Sequence, residues 1–300
     1  AASINAYEAK YGVPKQVRAA RECFPVHPKD LLTNMVVTLA GMVGLPEALK
    51  SAMDGKADEF VFPPRFGSNE WVFSGDITES GKPTLVINPH VNFTGEHHFY
   101  EASVHSEEGW EFWGALFPGM PTPALGCSRD IGYAITFNWP DYVDIYQLKI
   151  NPDNENQYWM DGRWWDFERD KAKLKVHIAF FNLPVKREML WSAHGPAMRT
   201  DHGVFAFRYA AKDPVLAGEQ WYRMSKAKNL KEFKAAMSMQ AIPLFNIAYA
   251  DKDNNIYYVF SGNLPERKDA QDWQSALPGD DSSLLWEEYV PFARMPQQQN

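Results

Sequence analysis

The chain predicts an α+β fold with layered sheets. Three observations carry that expectation. Helical patterning is confined to residues 1–60 and to one pair of segments between 214 and 239. Strand patterning dominates from residue 68 onward, and the sharpest change of texture falls at Gly67–Ser68.

The elements follow in order. Pro28-Lys29-Asp30 precedes an apolar helix from Leu31 to Val43, closed by Gly44. Pro46-Glu47-Ala48-Leu49 restarts a helix, with proline suited to its first turn. Phe60 to Phe66 holds two prolines and few polar groups and reads as an ordered, extended connection. Trp71 to Gly75 and Thr84 to Asn88 read as strands around a Gly81-Lys82 turn, and residues 131–137 as another strand. Asp161-Gly162 between Gln157–Met160 and Arg163–Phe167 is a hairpin signal. Leu174, Val176, Ile178 and Phe180 alternate with Lys175, His177 and Ala179, the pattern of a half-buried strand. Pro214–Met224 and Asn229–Met239 read as a helix pair, the second presenting Leu230, Phe233, Ala236 and Met237 on one face. Phe245 to Ala250 turns at Asp253-Asn254-Asn255 into Ile256 to Phe260.

Composition narrows the function. The 300 residues are 45% hydrophobic and 23% charged, enough apolar material for a sizeable core. The net charge of -8 repels phosphate backbones, which argues against a nucleic-acid partner. No apolar run reaches the roughly 20 residues of a membrane span, and Ala1 to Tyr7 lacks the pattern of a signal peptide. Cys23 and Cys127 give neither a metal spacing nor a disulfide framework. His97-His98 are adjacent rather than at helical ligand spacing, which disfavours a zinc enzyme. No Gly-x-Ser-x-Gly elbow supports a conventional Ser-His-Asp hydrolase.

Gly67-Ser68 at the start of a strand is a different kind of nucleophile candidate. A serine hydroxyl needs a base. An N-terminal serine carries one in its own α-amine, whose pKa of about 7.7–8.0 suits proton transfer near neutrality. Such a residue must be made by cutting the chain before it, and glycine permits the sharp bend that this needs. Taken alone, a Gly-Ser pair is more often a turn.

The wider pattern is specific. Gly67-Ser68-Asn69-Glu70-Trp71-Val72-Phe73-Ser74-Gly75 resembles the processing site of the penicillin acylase family of N-terminal-nucleophile (Ntn) hydrolases. Ser80 to Pro83, Asn88-Pro89-His90, Pro118 to Pro121, Gly132 to Thr136 and Asp141 to Tyr146 resemble further family segments in the same order. So do His194-Gly195-Pro196, Lys226 to Asn229, Asn246 to Asp251, Asn255 to Tyr258 and Pro265-Glu266-Arg267.

The resemblance implies an αββα four-layer sandwich, incomplete in this stretch of a longer precursor. Residues 1–67 would be the end of an α-chain plus linker, mostly helical. Residues 68–300 would begin the β-chain with the Ntn core, and processing would leave an α/β heterodimer. The activity implied is removal of an acyl group from a small-molecule amide by an exported protein, periplasmic or secreted.

The same resemblance assigns roles. Ser68 is the nucleophile, and Gly67–Ser68 the bond cut. His90 orients the α-amine. The Phe137 N–H and the Asn246 side chain form the oxyanion hole, and Arg267 holds Asn246 or polar groups of the substrate. Val91, Leu125 and Ile135 line the acyl site, and their aliphatic character points to a linear aliphatic acyl group. No cofactor is required for the chemistry. Asp141, the Val143 carbonyl and Asp144 match positions that bind a structural calcium in some relatives, against the competing reading of a solvated acidic loop. The rival from another class is a non-catalytic module that binds carbohydrate or peptide through Trp110, Trp113, Trp159, Trp164 and Trp165.

Overall fold

The computed structural model describes residues 1–15, 23–60, 67–94, 98–178, 181–268 and 271–300. The expected connection over 61–66 lies outside them, as do His97 and Phe180.

Helix α1 (Ala2–Tyr11) opens the chain. Helix α2 (Pro28–Met42) starts on a capping box, in which the His27 N–H donates to Asp30 Oδ2 at 2.7 Å. Gly44, at φ 95, supplies the left-handed turn into α3 (Leu45–Met53). No single helix among the described residues is long and apolar enough to cross a membrane. Met35, Leu39, Met42, Ala48 and Ala52 of α2 and α3 share one core with residues of the later strands and helices. The segments on either side of Gly67–Ser68 are therefore packed as one body.

Strand β1 (Gly67–Phe73) pairs antiparallel with β2 (Thr84–His90), with Ser68 opposite Pro89 and Glu70 opposite Ile87. β3 (Tyr100–Ser106), β4 (Trp110–Leu116), β5 (Leu125–Cys127) and β6 (Ile131–Thr136) form a meander. β7 (Val143–Leu148) belongs to a second sheet, and β8 (Ile150–Asn151), β9 (Asn154–Met160) and β10 (Arg163–Asp166) to a small third one. β11 (Glu168–Ile178), β12 (Phe181–Ser192), β13 (Gly195–Thr200) and β14 (Gly203–Tyr209) return to β7. Helices α4 (Ala217–Lys226) and α5 (Leu230–Met237) follow, then β15 (Asn246–Asp251), β16 (Ile256–Phe260), β17 (Leu277–Pro278) and β18 (Gln297–Gln299).

The main sheet has the order β18-β16-β15-β6-β5-β4-β3. Its two faces carry different partners because strand side chains alternate. Tyr133, Ile135, Ile247 and Tyr249 are buried on the face that meets the helix pair, with Phe233 of α5 at 5.4 Å from the Tyr133 ring and 4.6 Å from that of Tyr249. Asn229 caps α5 by accepting the Glu232 N–H at 3.0 Å. On the opposite face lie Gly132, Ala134, Thr136, Asn246 and Ala248, and the β1–β2 hairpin packs there. Leu85 would stand 3.3 Å from a Cβ placed on Gly132. The layers are thus helix pair, main sheet and β1–β2 hairpin. The outward face of the hairpin exposes Trp71, Phe73 and Val86. The α+β expectation holds, with three of the four expected layers among the described residues.

The second sheet runs β11-β12-β13-β14-β7-β17 and closes on Tyr146, Leu148, Tyr158, Phe167 and Leu190. One expectation fails in it. β12 pairs with β13 only over Leu190–Ser192, so most of the β11–β12 hairpin projects beyond the sheet. Leu174, Val176 and Ile178 stay exposed at 47%, 41% and 47%, not half-buried.

Candidate active site

β1 begins at Gly67, so Ser68 is fixed in a strand rather than in a turn. Ser68, Glu70 and Val72 lie on the inner side of the strand, while Asn69, Trp71 and Phe73 lie outside. The Ser68 hydroxyl donates to the Gly67 carbonyl oxygen at 2.5 Å. It therefore rests on the carbonyl of the bond that sequence reading marks for cleavage.

The sheet face beneath β1 holds the donors. Asn246 opens β15 opposite Thr136, the last residue of β6. Its Nδ2 donates to Thr136 Oγ1 at 3.1 Å and to the Phe137 carbonyl at 3.3 Å, while its Oδ1 accepts from the Tyr258 hydroxyl at 2.9 Å. The amide is therefore oriented by Tyr258 on one side and Thr136 on the other. Phe137 stacks on Trp139 at 5.3 Å and meets Phe245 edge-on at 5.4 Å, which holds the backbone after β6. Asn246 and Phe137, predicted to act as a pair, are adjacent.

His90 pairs with Gly67 across the hairpin. Its Nε2 lies 3.2 Å from Asn69 Nδ2 and 3.0 Å from Asn88 Nδ2, all on the outer side of the hairpin. Alternation puts the imidazole across the strand from the Ser68 hydroxyl. It still borders the backbone at the cut, since a Cβ on Gly67 would lie 3.5 Å from His90 Nδ1.

Arg267 holds neither Asn246 nor an open site. Its guanidinium contacts Asp141 Oδ2 at 3.0 Å and both oxygens of Asp144, at 3.0 and 3.2 Å, and lies over the Trp273 ring. The Asp144 side chain has no exposed surface and also accepts from Trp286 Nε1. Burial pushes Asp144 up to about 6, opposed by Arg267 and reinforced by Asp141. Burial likewise pushes Asp141 up, against the pull of Arg267. A guanidinium fills the space between the two carboxylates, so this donor set does not fit a calcium ion, and the Val143 carbonyl belongs to a paired strand. Among the described residues no group of three His, Cys, Asp or Glu side chains could hold a metal ion. The solvated-loop alternative fails too, because Asp144 is fully buried and the part-exposed Asp141 is paired with the same guanidinium.

The acyl-lining residues are not brought together. Ile135 is 4% exposed and faces the helix pair, opposite the Ser68 side of the sheet. Leu125 lines a cleft of about 470 Å³ with Glu101, Ser103 and Trp113, and neither Val91 nor Ser68 borders it. Val91 follows β2 directly. The tryptophans form no shared groove. Trp110 donates to Ser225 against α4, Trp113 lies on the main sheet, and Trp159, Trp164 and Trp165 ride on the β9–β10 hairpin. His194 is fully buried between the Tyr146 and Tyr158 rings, and burial pulls it down to about 4, so it is a neutral packing group.

Sequence reading passed over Glu70. Its position two residues beyond Ser68 on a strand places both side chains on one face, and that signal was available. Burial pushes its carboxyl up to about 7, eased by the Ala248 N–H and the Thr136 hydroxyl. Those two neighbours favour the charged form, yet neither carboxylate oxygen has a partner of good hydrogen-bond geometry.

Comparison with known proteins adds four findings. The family model for penicillin amidase matches residues 3–300. Acyl-homoserine lactone acylase PvdQ of Pseudomonas putida is 23% identical over 282 residues, covering 85% of this chain and 36% of that protein. Penicillin G acylase of Escherichia coli is 25% identical over 240 residues, covering 78% of this chain and 27% of that protein. The thermostable penicillin G acylase from Alcaligenes faecalis superposes with a TM-score of 0.68 at 27% identity, over 77% of this chain and 42% of that one. The chain thus spans about a third of the length of these curated relatives.

Proposed function

Since the chain belongs to the penicillin amidase family, we propose that the protein containing it is an acylase that hydrolyses the amide of an acylated amine, with Ser68 as its nucleophile. The observation that carries this is the Ser68 hydroxyl seated 2.5 Å from the Gly67 carbonyl oxygen, on the strand side that faces Asn246.

Two reactions follow from one geometry. In the first, Ser68 Oγ attacks the Gly67 carbonyl carbon, the C–N bond breaks, and Gly67 is held as an ester on Oγ. Water cleaves the ester and leaves a free Ser68 α-amine. In the second, that amine takes the proton from Oγ as Oγ attacks the substrate amide. The tetrahedral oxyanion takes hydrogen bonds from Asn246 Nδ2 and the Phe137 N–H. The amine returns the proton to the leaving nitrogen, and water then releases the acyl group. The bond cut lies within one packed body, which supports an α/β pair that stays associated afterwards. Export to the periplasm or beyond belongs to the same proposal. The relatives are named for acyl-homoserine lactones and for penicillin G, and an acyl group on a small amine is the chemistry shared by these names.

Intact mass and N-terminal sequencing of the full-length protein test the reading. A piece beginning at Ser68 is expected, and Ser68→Ala should abolish both the cut and acyl release. Amide hydrolysis by the Ser68→Ala protein would overturn the mechanism.

A further inference from the structure

We propose that Glu70 is a positioning residue for the oxyanion donor Asn246, acting through the Thr136 hydroxyl. The inference rests on the functional reading above and adds a residue and a proton to it.

The geometry is a one-way chain of donors. Tyr258 O–H donates to Asn246 Oδ1, and Asn246 Nδ2 donates to Thr136 Oγ1. A threonine hydroxyl has a single proton to give. With its oxygen accepting from Asn246, that proton is free to point at the neighbouring Glu70 carboxylate. Ionised Glu70 can only accept, so it fixes the direction of every bond in the chain. One Asn246 N–H is then anchored on Thr136, and the other, which rests on the Phe137 carbonyl at 3.3 Å, is the one that turns to the oxyanion. Protonated Glu70 can itself donate to Thr136 Oγ1. It then competes with Asn246 for the same oxygen and loosens the amide.

The surroundings make Glu70 responsive near neutrality. Both its oxygens are buried without a well-formed hydrogen bond, and burial pushes the carboxyl up to about 7. No lysine or arginine occurs on β1, β2, β6, β15 or β16. The titratable groups around it are Tyr258 on β16, whose own hydroxyl is pushed up by burial and then by Glu70, His90 at the outer end of β2, and the Ser68 amine once it is freed. Tyr133, Tyr249, Asp251 and Tyr257 are the other titratable groups of these strands, and Tyr133, Tyr249 and Asp251 lie on the helix side of the main sheet.

The test uses the full-length protein. Two groups, the Ser68 amine and Glu70, must lose a proton for full activity. Log kcat/KM should therefore rise with a slope well above 1 where both titrate, the Glu70 step contributing about one log unit. Glu70→Gln cannot titrate, so the slope should fall to about 1 with processing at Ser68 intact. Thr136→Val should also give a slope of about 1 and lower kcat roughly tenfold, the scale of one hydrogen bond. An unchanged slope in a processed Glu70→Gln enzyme would overturn the proposal. If the wild-type protein yields no Ser68 terminus and no acyl release, the functional reading fails instead. The relay is then decided without turnover, by titrating 13C-labelled glutamate carboxyls in the Ser68→Ala protein, with Glu70→Gln identifying the signal. Thr136→Val should raise the Glu70 midpoint, and an unmoved midpoint refutes the contact.

Discussion

Replacing Arg267 by methionine is the sharpest test of how the site's flank is built. Arg267 neutralises two carboxylates, and one of them, Asp144, has no exposed side-chain surface. Removing the guanidinium leaves a buried charge held only by Trp286. Breaking a buried pair in this way costs about 3–5 kcal/mol. At about 2.1 cal/mol/K per residue over 300 residues, that is roughly 5–8 °C in melting temperature. The sign with pH follows from Asp144, whose carboxyl is pushed up to about 6 even with Arg267 present. Folding favours its protonated form, so its contribution is intact below about pH 4 and is lost as pH rises through the folded value. Without Arg267 the folded value climbs further. The deficit of Arg267→Met should therefore be small at pH 5 and full at pH 8. Thermal unfolding at both pH values measures it, and Asp144→Asn in the Arg267→Met background should recover most of the loss. A loss under about 1 kcal/mol at pH 8 would refute the triad as a structural clasp.

Three further outcomes are expected. Asn246→Ala should lower kcat by about 100- to 1,000-fold with little change in KM, read by steady-state acyl release. Glu70→Gln should leave stability unchanged near pH 4.5 and raise it at pH 8.5. Moving a carboxyl from its ordinary 4.5 to about 7 withholds about 3 kcal/mol once both folded and unfolded forms are charged, a gain visible in thermal melts. Gly195→Ala should destabilise by about 2–3 kcal/mol in denaturant unfolding, because φ is 126 and a Cβ would meet the Phe207 carbonyl oxygen at 2.4 Å.

Much of the architecture was legible because it is written in local patterns. The α2–α3 break at Gly44, the Asp161-Gly162 hairpin and the face of α5 each depend on a few neighbouring residues. The pairing of Asn246 with Phe137 came from the family resemblance alone, and the structure adds that both stand at the ends of adjacent strands. What escaped depends on which side of a strand faces what. Ile135 and Thr136 are neighbours in sequence but lie on opposite faces, one against helices and one against β1. Only the layer order decides which of them is near Ser68. His90 lies on the outer side for the same reason, bordering the backbone at the cut rather than the Ser68 hydroxyl. Arg267 was misjudged because its partners lie more than a hundred residues earlier on β7 and just before it, a contact that no spacing rule reveals. The β11–β12 hairpin shows that alternating residues predict a strand without guaranteeing a surface to cover it.

The register of β1 has one more consequence. A chain terminus ordinarily frays, and a fraying nucleophile would have to be gathered again for every turnover. Ser68 to Phe73 pair residue by residue with β2, and Pro89 opposite Ser68 has no N–H to donate. Cutting before Ser68 would therefore leave the ladder from Ser68 onward in place, with only the Gly67 and His90 pair lost from it. The new amine would emerge already in place, its freedom surrendered when the precursor folded rather than when substrate arrives.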